Sequence, residues 1–256
     1  MLENKIIFVA GACGRIGKAL CKKILQNKGI AILADINENH LSILKTELEN
    51  EFKKELLSLR LDITSNESLN CAINQAFEKY SKIDGFVNSS YPVGKDWGKI
   101  AYYEASYEQI CESLNLHLGG FILASQEFVK FFKKQSYGNI INLSSIMGVF
   151  APKFENYENT TMQSSLEYSV IKAGINHLGA WLAKELFNTN IRVNTLASGG
   201  ILDNQANIFL EKYRKCCASK GMLDAEDICG TLIFLLSDES KFITGQTLVV
   251  ADGWGL

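Results

Sequence analysis

Short runs of apolar, β-branched residues alternate with longer amphipathic segments along this 256-residue chain. The short runs have the composition of strands, and the longer segments repeat apolar residues at three- and four-residue spacing, which indicates helices. Strands that alternate with helices form parallel sheets whose crossover helices cover both faces. We therefore predict an α/β fold: a doubly wound, Rossmann-type parallel seven-stranded sheet with helices on both faces.

The predicted elements leave two long connections and no sign of a domain boundary. No internal repeat or Pro/Gly/Ser-rich linker interrupts the alternation, so we expect residues 1–256 to form a single domain. The connections 89–104 and 145–164 are long, which is typical of functional loops. Strands are predicted near 5–10, 30–34, 56–61, 83–88, 138–144, 190–196 and 246–250, and helices near 15–28, 37–54, 66–80, 106–134, 165–187 and 224–237.

The composition argues against several classes of protein. Lys plus Arg number 26 and Asp plus Glu 28, so a net charge of -2 gives no field that would attract nucleic acid or acidic lipid. Nowhere do 18 apolar residues run together, so we expect no membrane segment. The seven cysteines form no Cys-x-x-Cys pair and follow no signal peptide, which favours reduced thiols in the cytoplasm. The three histidines lie far apart, so we expect neither a metal site nor a Ser-His-Asp hydrolase.

A glycine-rich turn follows the first predicted strand and opens the first predicted helix. Glycines let a backbone turn sharply and approach a pyrophosphate, whose charge then meets free N–H groups and the positive end of the helix dipole. We therefore expect a bound dinucleotide here. The turn supplies the candidate residues Gly11, Cys13, Gly14, Arg15, Ile16 and Gly17.

Asp35 closes the second predicted strand, 18 positions after Gly17. A carboxylate at this place can accept both ribose hydroxyls of an adenosine. A 2′-phosphate would face a like charge, so NADP would need a compensating cation, and Arg15 is the nearby candidate. The sequence therefore favours NAD as the cofactor.

Tyr168 and Lys172 lie four residues apart at the start of a segment with helical period, so they share one helix face. An ammonium stabilises a neighbouring phenolate, so we expect Lys172 to lower the pKa of Tyr168 toward working pH. A second Tyr-x-x-x-Lys pattern, Tyr91 to Lys95, contains a proline and a glycine that disfavour a helix. Upstream, Ser145 ends a predicted strand at the sheet edge where parallel α/β folds bind ligands.

With these motifs the chain resembles the single-domain branch of the short-chain dehydrogenase/reductase family, from about Lys5 to Gly253. The resemblance implies that Ser145 holds the reacting oxygen while Tyr168 moves its proton. Lys172 would tune Tyr168 and bind the nicotinamide ribose, and Asn115 would support a water relay. It implies a homodimer or homotetramer built on segments 106–134 and 165–187. Further cofactor positions implied by the resemblance are Asp62, Ile63, Asn88, Gly199 and Ile201.

Several residues depart from the family pattern. Arg15 stands where the family has its middle glycine, and Asn88-Ser89-Ser90-Tyr91 replaces the customary Asn-Asn-Ala-Gly. Ser198-Gly199 replaces Pro-Gly. Asp203 takes the place of a threonine that contacts the carboxamide, and an ionised carboxylate cannot donate that hydrogen bond. These changes put the cofactor contacts at those positions in question.

The two long loops favour a sugar-like substrate. Ser145 and Tyr168 are 23 residues apart, about twice the family spacing, and the insert 154–163 interleaves amides and hydroxyls with Phe and Tyr. The loop 89–104 adds Tyr91, Trp97, Tyr102 and Tyr103, with Lys95 and Lys99 as candidate phosphate partners.

Both loops resemble those of oxidoreductases in bacterial flagellin-modification and surface-glycan pathways. That likeness implies that a hydroxyl of a sugar or sugar phosphate is oxidised to a ketone, or the reverse.

Two other functions stay open. The spacing of Gly11, Gly14 and Gly17 is also that of NAD-binding sugar epimerases and dehydratases, although 256 residues leave little chain for their second domain. A protein that senses NAD without turnover is the other alternative, and the set of Ser145, Tyr168, Lys172 and Asn115 disfavours it.

Overall fold

In the computed structural model, which describes residues 1–98, 100 and 102–256, seven parallel strands form one sheet in the order β3-β2-β1-β4-β5-β6-β7. The chain builds β1 to β3 toward one edge and then returns to place β4 beside β1. That reversal is the point at which open α/β sheets bind ligands. The predicted fold is confirmed. The strands are β1 Ile6–Ala10, β2 Ile30–Asp35, β3 Leu57–Arg60, β4 Gly85–Asn88, β5 Gly138–Ser145, β6 Ile191–Ser198 and β7 Thr247–Val250.

Helices cover both faces of the sheet. The core on one face includes Phe8, Phe86 and Phe128 and packs beneath α3, α5 and α6. The core on the other face packs beneath α1, α2 and α8. The helices are α1 Arg15–Gln26, α2 Glu38–Phe52, α3 Asn66–Tyr80, α4 Tyr107–Ser113, α5 Gly120–Gln135, α6 Leu166–Glu185, α7 Asn207–Lys215 and α8 Ala225–Leu236.

Two elements differ from the sequence prediction. The predicted helix 106–134 is interrupted by a π-helical segment, Leu114–Gly119, which joins α4 to α5. Such i→i+5 turns occur mostly inside α-helices and frequently at functional sites. The short helix α7 was not predicted, because its buried apolar side chains, Phe209 and Tyr213, are too few to make a clear period.

The starts of two helices matter for the site. Helix α1 follows Gly14, whose position provides no side-chain cap, so the first N–H groups of the helix stay available to a ligand. Helix α6 follows Ser165, whose hydroxyl accepts a hydrogen bond from the backbone N–H of Tyr168 at 3.4 Å. Within the described ranges, none of the helices combines the length and the apolar content needed to span a bilayer.

Candidate active site

A cleft runs along the carboxyl-terminal edge of the sheet. It consists of one cavity of about 590 Å³ and an adjoining cavity of about 370 Å³, and both are lined by Gly14 and by residues 89–91. Of the predicted residues, the larger cavity is lined by Gly14, Arg15, Ile16, Ser145, Tyr168, Lys172, Gly199 and Ile201, and the smaller one by Gly11, Cys13, Gly14, Asp35, Asp62 and Ile63.

The glycine turn is packed so closely that side chains are excluded from it. Gly11 has a φ of +74°, and a Cβ there would lie 2.7 Å from the backbone of Ser89 and Ser90. A Cβ on Gly17 would overlap the carbonyl oxygen of Gly11. The turn thus brings bare backbone and the uncapped start of α1 to the cleft, which fits a pyrophosphate. Burial raises the pKa of Cys13 to about 12, so this residue is a thiol and not an activated thiolate.

Two carboxylates, those of Asp35 and Asp62, line the smaller cavity. Asp35 accepts hydrogen bonds from the backbone N–H groups of Cys13 at 3.0 Å and Asn37 at 3.1 Å, which fix its orientation beside the glycine turn. Asp62 accepts from the backbone and the hydroxyl of Thr64 at 2.9 and 2.6 Å. This end of the cleft therefore fits an adenosine, with Asp35 available to the ribose.

Arg15 and Asp203 form an ion pair across the larger cavity. Both side chains are about half exposed, and both line the cavity together with Gly199 and Ile201. Arg15, which the sequence offers as the cation that a 2′-phosphate would need, is therefore paired with Asp203. Two of the residues that depart from the expected family pattern, Arg15 and Asp203, are thus paired with each other.

Ser145, Tyr168 and Lys172 meet in the larger cavity. The Ser145 hydroxyl accepts a hydrogen bond from the backbone N–H of Met147 at 3.2 Å and lies close enough to Tyr168 to lower the pKa of its phenol. The Lys172 ammonium donates to the carbonyl oxygen of Leu143 at 3.2 Å and lies 5.6 Å from the centre of the Tyr168 ring. A hydroxyl, a phenol and an amine are thus available at one end of the glycine-lined cleft.

The pKa values of this cluster correct one expectation. Burial lowers the pKa of Lys172 to about 7. Burial also raises the pKa of Tyr168. The Ser145 hydroxyl lowers this pKa, but by less than burial raises it. Lys172 is not among the causes of this shift, and burial keeps the phenol protonated at neutral pH.

The remaining predicted residues lie outside the cavity lining. Asn115 is exposed on the π-helical segment and does not line the cavity with Ser145, Tyr168 and Lys172, so this geometry does not support the expected relay. Its position two residues from a buried side chain puts it on the opposite side of the segment. Asn88 is buried, and its amide oxygen accepts from the backbone N–H of Ser90 at 3.2 Å, so it shapes the loop beside the cleft.

The family model described as enoyl-(acyl carrier protein) reductase matches residues 11–255. The chain belongs to the short-chain dehydrogenase/reductase family. It is 98% identical over 256 residues to the post-translational flagellin modification protein A of Campylobacter coli, covering 100% of both chains. It is 30% identical over 261 residues to the 7alpha-hydroxysteroid dehydrogenase of Bacteroides fragilis, covering 98% of this chain and 94% of the other.

Among solved structures, a short-chain dehydrogenase from Leptospira borgpetersenii with bound NAD+ has a TM-score of 0.85 and 25% identity, over 100% of this chain and 94% of that one. The chain is therefore an oxidoreductase of the short-chain dehydrogenase/reductase family, which uses nicotinamide cofactors.

One group of site residues that sequence reasoning missed is an aromatic cluster behind the Tyr–Lys pair of this short-chain dehydrogenase/reductase. The indole N–H of Trp97 donates to the Tyr91 hydroxyl at 3.0 Å, and both rings lie 6.1 Å from the Tyr168 ring. His117 packs 5.1 Å from Tyr91 and 5.5 Å from Phe121. Tyr91 and Trp97 were noted as loop aromatics, but nothing in the spacing pointed to His117.

The insert after Ser145 forms the other wall of the larger cavity. Tyr157 packs against Phe209 of α7 with ring centres 5.2 Å apart. The Lys212 ammonium ties α7 to the insert by donating to the carbonyl oxygens of Glu155 at 2.7 Å and Glu158 at 3.0 Å. Of the predicted phosphate partners, Lys95 is exposed and away from the lining, and Lys99 lies outside the described residues.

Proposed function

We propose that this protein is an NAD(H)-dependent oxidoreductase that interconverts a secondary alcohol and a ketone on a sugar or sugar phosphate used in flagellin or surface-glycan biosynthesis. The observation that carries the proposal is the meeting of Ser145, Tyr168 and Lys172 in the same cleft as the glycine turn. The 98% identity to a flagellin modification protein supports the pathway. We also propose that residues 1–256 act as one domain.

The chain's own residues manage the oxygen and its proton. Ser145 donates a hydrogen bond to the reacting oxygen and orients it toward Tyr168. During ketone reduction Tyr168, which holds its proton in the free protein, gives that proton to the oxygen; during alcohol oxidation it takes the proton back. The nicotinamide, when bound, supplies or accepts the hydride. Lys172 stabilises the phenolate that remains after proton donation.

NAD is the proposed cofactor because Asp35 lines the smaller cavity beside the glycine turn, where a carboxylate can accept the ribose hydroxyls. A 2′-phosphate there would meet a carboxylate, and Arg15 is already paired with Asp203. Side-by-side fluorescence titration with NADH and NADPH tests this choice. Tighter binding of NADPH contradicts it.

A sugar-like substrate is supported by the mixed lining of the larger cavity. Hydroxyl and amide groups of Ser90, Gln163 and Ser164 lie among the rings of Trp97 and Tyr157. Directional hydrogen bonds beside apolar faces suit a polyhydroxylated ring. The test is a panel of hexoses, amino sugars and their phosphates, followed through NADH absorbance in both directions. NADH binding without turnover of any panel member favours the non-catalytic, NAD-sensing alternative.

We further propose a homodimer or homotetramer that works in the cytoplasm. Ile122 of α5 and Leu166, Val170 and Trp181 of α6 are large apolar side chains left 45–58% exposed in the single chain. A second copy covering these helices removes that surface from water. Light scattering that returns the mass of one chain contradicts the oligomer. Cytoplasmic conditions would keep the free cysteines reduced, the exposed Cys71 among them.

A further inference from the structure

His117 is a buried imidazole that the proposed chemistry does not yet use. Its side chain is 0% exposed, and neither ring nitrogen has a hydrogen-bond partner among the described residues. Buried polar groups without partners are rare and point to a role beyond packing. The ring is presented by the π-helical segment Leu114–Gly119, a geometry often found at functional sites.

His117 shares its surroundings with Lys172. The His117 ring lies 5.1 Å from the Tyr91 ring and 5.5 Å from the Phe121 ring. The Lys172 ammonium lies 5.8 Å and 5.4 Å from the centres of the same two rings. The imidazole and the ammonium therefore occupy one aromatic pocket behind Tyr168.

The two groups have complementary hydrogen-bonding needs. An ammonium has three donors, and among the described residues Lys172 has one hydrogen-bond acceptor, the Leu143 carbonyl oxygen. Burial, and then the charge of Lys172, lower the pKa of His117 to about 2, so the imidazole stays neutral and keeps one acceptor nitrogen. Of the residues that the structure describes, the other titratable groups whose rings face Lys172 are the phenols of Tyr168, on its own helix, and Tyr91, in the loop.

We propose that His117 is a positioning residue whose neutral imidazole accepts a hydrogen bond from the Lys172 ammonium across one water molecule, and so favours the charged amine beside Tyr168. The inference deepens the proposed function and rests on it. The role concerns Lys172 alone; His117 is not assigned contact with substrate or cofactor.

The test is ¹⁵N NMR of protein labelled at its three histidines, without any substrate. His40 and His177 are exposed and give two further histidine signals for comparison in the same spectra. The His117 signal is assigned by its loss in His117→Gln. We expect the His117 imidazole to stay neutral from pH 5 to 9. The chemical shift of its acceptor nitrogen should change with a midpoint near pH 7, because Lys172 loses its proton there.

Lys172→Met then removes the donor. The chemical shift of the His117 acceptor nitrogen should then change to that of a neutral imidazole without a hydrogen bond. The matched variant Lys184→Met, at an exposed position of the same helix, should leave this chemical shift unchanged. A His117 chemical shift that changes neither around pH 7 nor in Lys172→Met overturns the inference. Protonation of the His117 ring between pH 5 and 9 overturns it as well. The pH titration is recorded on the wild type, and if His117→Gln misfolds the His117 signal is assigned instead by loss of the other two signals in the exposed variants His40→Gln and His177→Gln. Loss of turnover in Tyr168→Phe tests the proposed function separately.

Discussion

The burial of Lys172 predicts an unusual pH dependence of stability. Burial lowers the pKa of Lys172 from 10.5 to about 7 in the folded protein, whereas the unfolded chain regains the ordinary value. Between these two pH values the unfolded state binds more protons, so stability rises with pH. The destabilisation is fully present below pH 7 and is lost as the pH rises toward 10.5. At about 1.4 kcal/mol per pH unit, the change from pH 7 to 9 is about 2 kcal/mol.

Urea unfolding of the wild type and of Lys172→Met at pH 7, 8 and 9 measures this effect. Other titrating groups are common to both proteins and cancel in the difference. The wild type should gain about 2 kcal/mol relative to Lys172→Met over this range, and the variant should be the more stable protein at pH 7. Lys184→Met, an exposed substitution on the same helix, should parallel the wild type. If the free energy of unfolding changes with pH equally in the wild type and in Lys172→Met, the lowered pKa of Lys172 is refuted.

Three further substitutions test the cofactor and relay assignments. Asp35→Ala should weaken NADH binding about tenfold, roughly the 1.4 kcal/mol of a charged hydrogen bond, in a fluorescence titration; unchanged affinity removes Asp35 from the ribose site. Gly17→Ala should lower the free energy of unfolding, measured in urea, by about 1–3 kcal/mol, because the new Cβ would overlap the Gly11 carbonyl oxygen. Wild-type stability would mean that the glycine turn has room for a side chain at this position. Asn115→Ala, at an exposed position, should keep turnover within about twofold in the NADH assay, and a large loss restores Asn115 to the relay.

The fold and much of the cleft could be predicted because their signals are local. Strand and helix periods fixed the α/β class, and the glycine turn and Asp35 lie at strand ends that a parallel sheet brings to one edge. Tyr168 and Lys172 are one helical turn apart, so their proximity needs no tertiary information.

The rest depends on packing between distant segments. Arg15 and Asp203 are 188 positions apart, and no local pattern pairs them. The π-helical turn changes the phase of the segment that carries Asn115 and His117, so residue spacing did not reveal which of them is buried. The expected effect of Lys172 on the pKa of Tyr168 considered charge alone, whereas the observed rise of this pKa comes from burial, which depends on tertiary packing.

The most direct test of the account compares turnover and NADH affinity in Tyr168→Phe and the wild type, using the panel sugar that the wild type oxidises or reduces. Loss of the proton-transferring hydroxyl should lower kcat by about 100-fold or more, while the Kd for NADH, measured by fluorescence, stays close to the wild-type value. If Tyr168→Phe turns the sugar over at the wild-type rate, proton transfer by Tyr168 is wrong, and with it the assignment of this cleft as the active site.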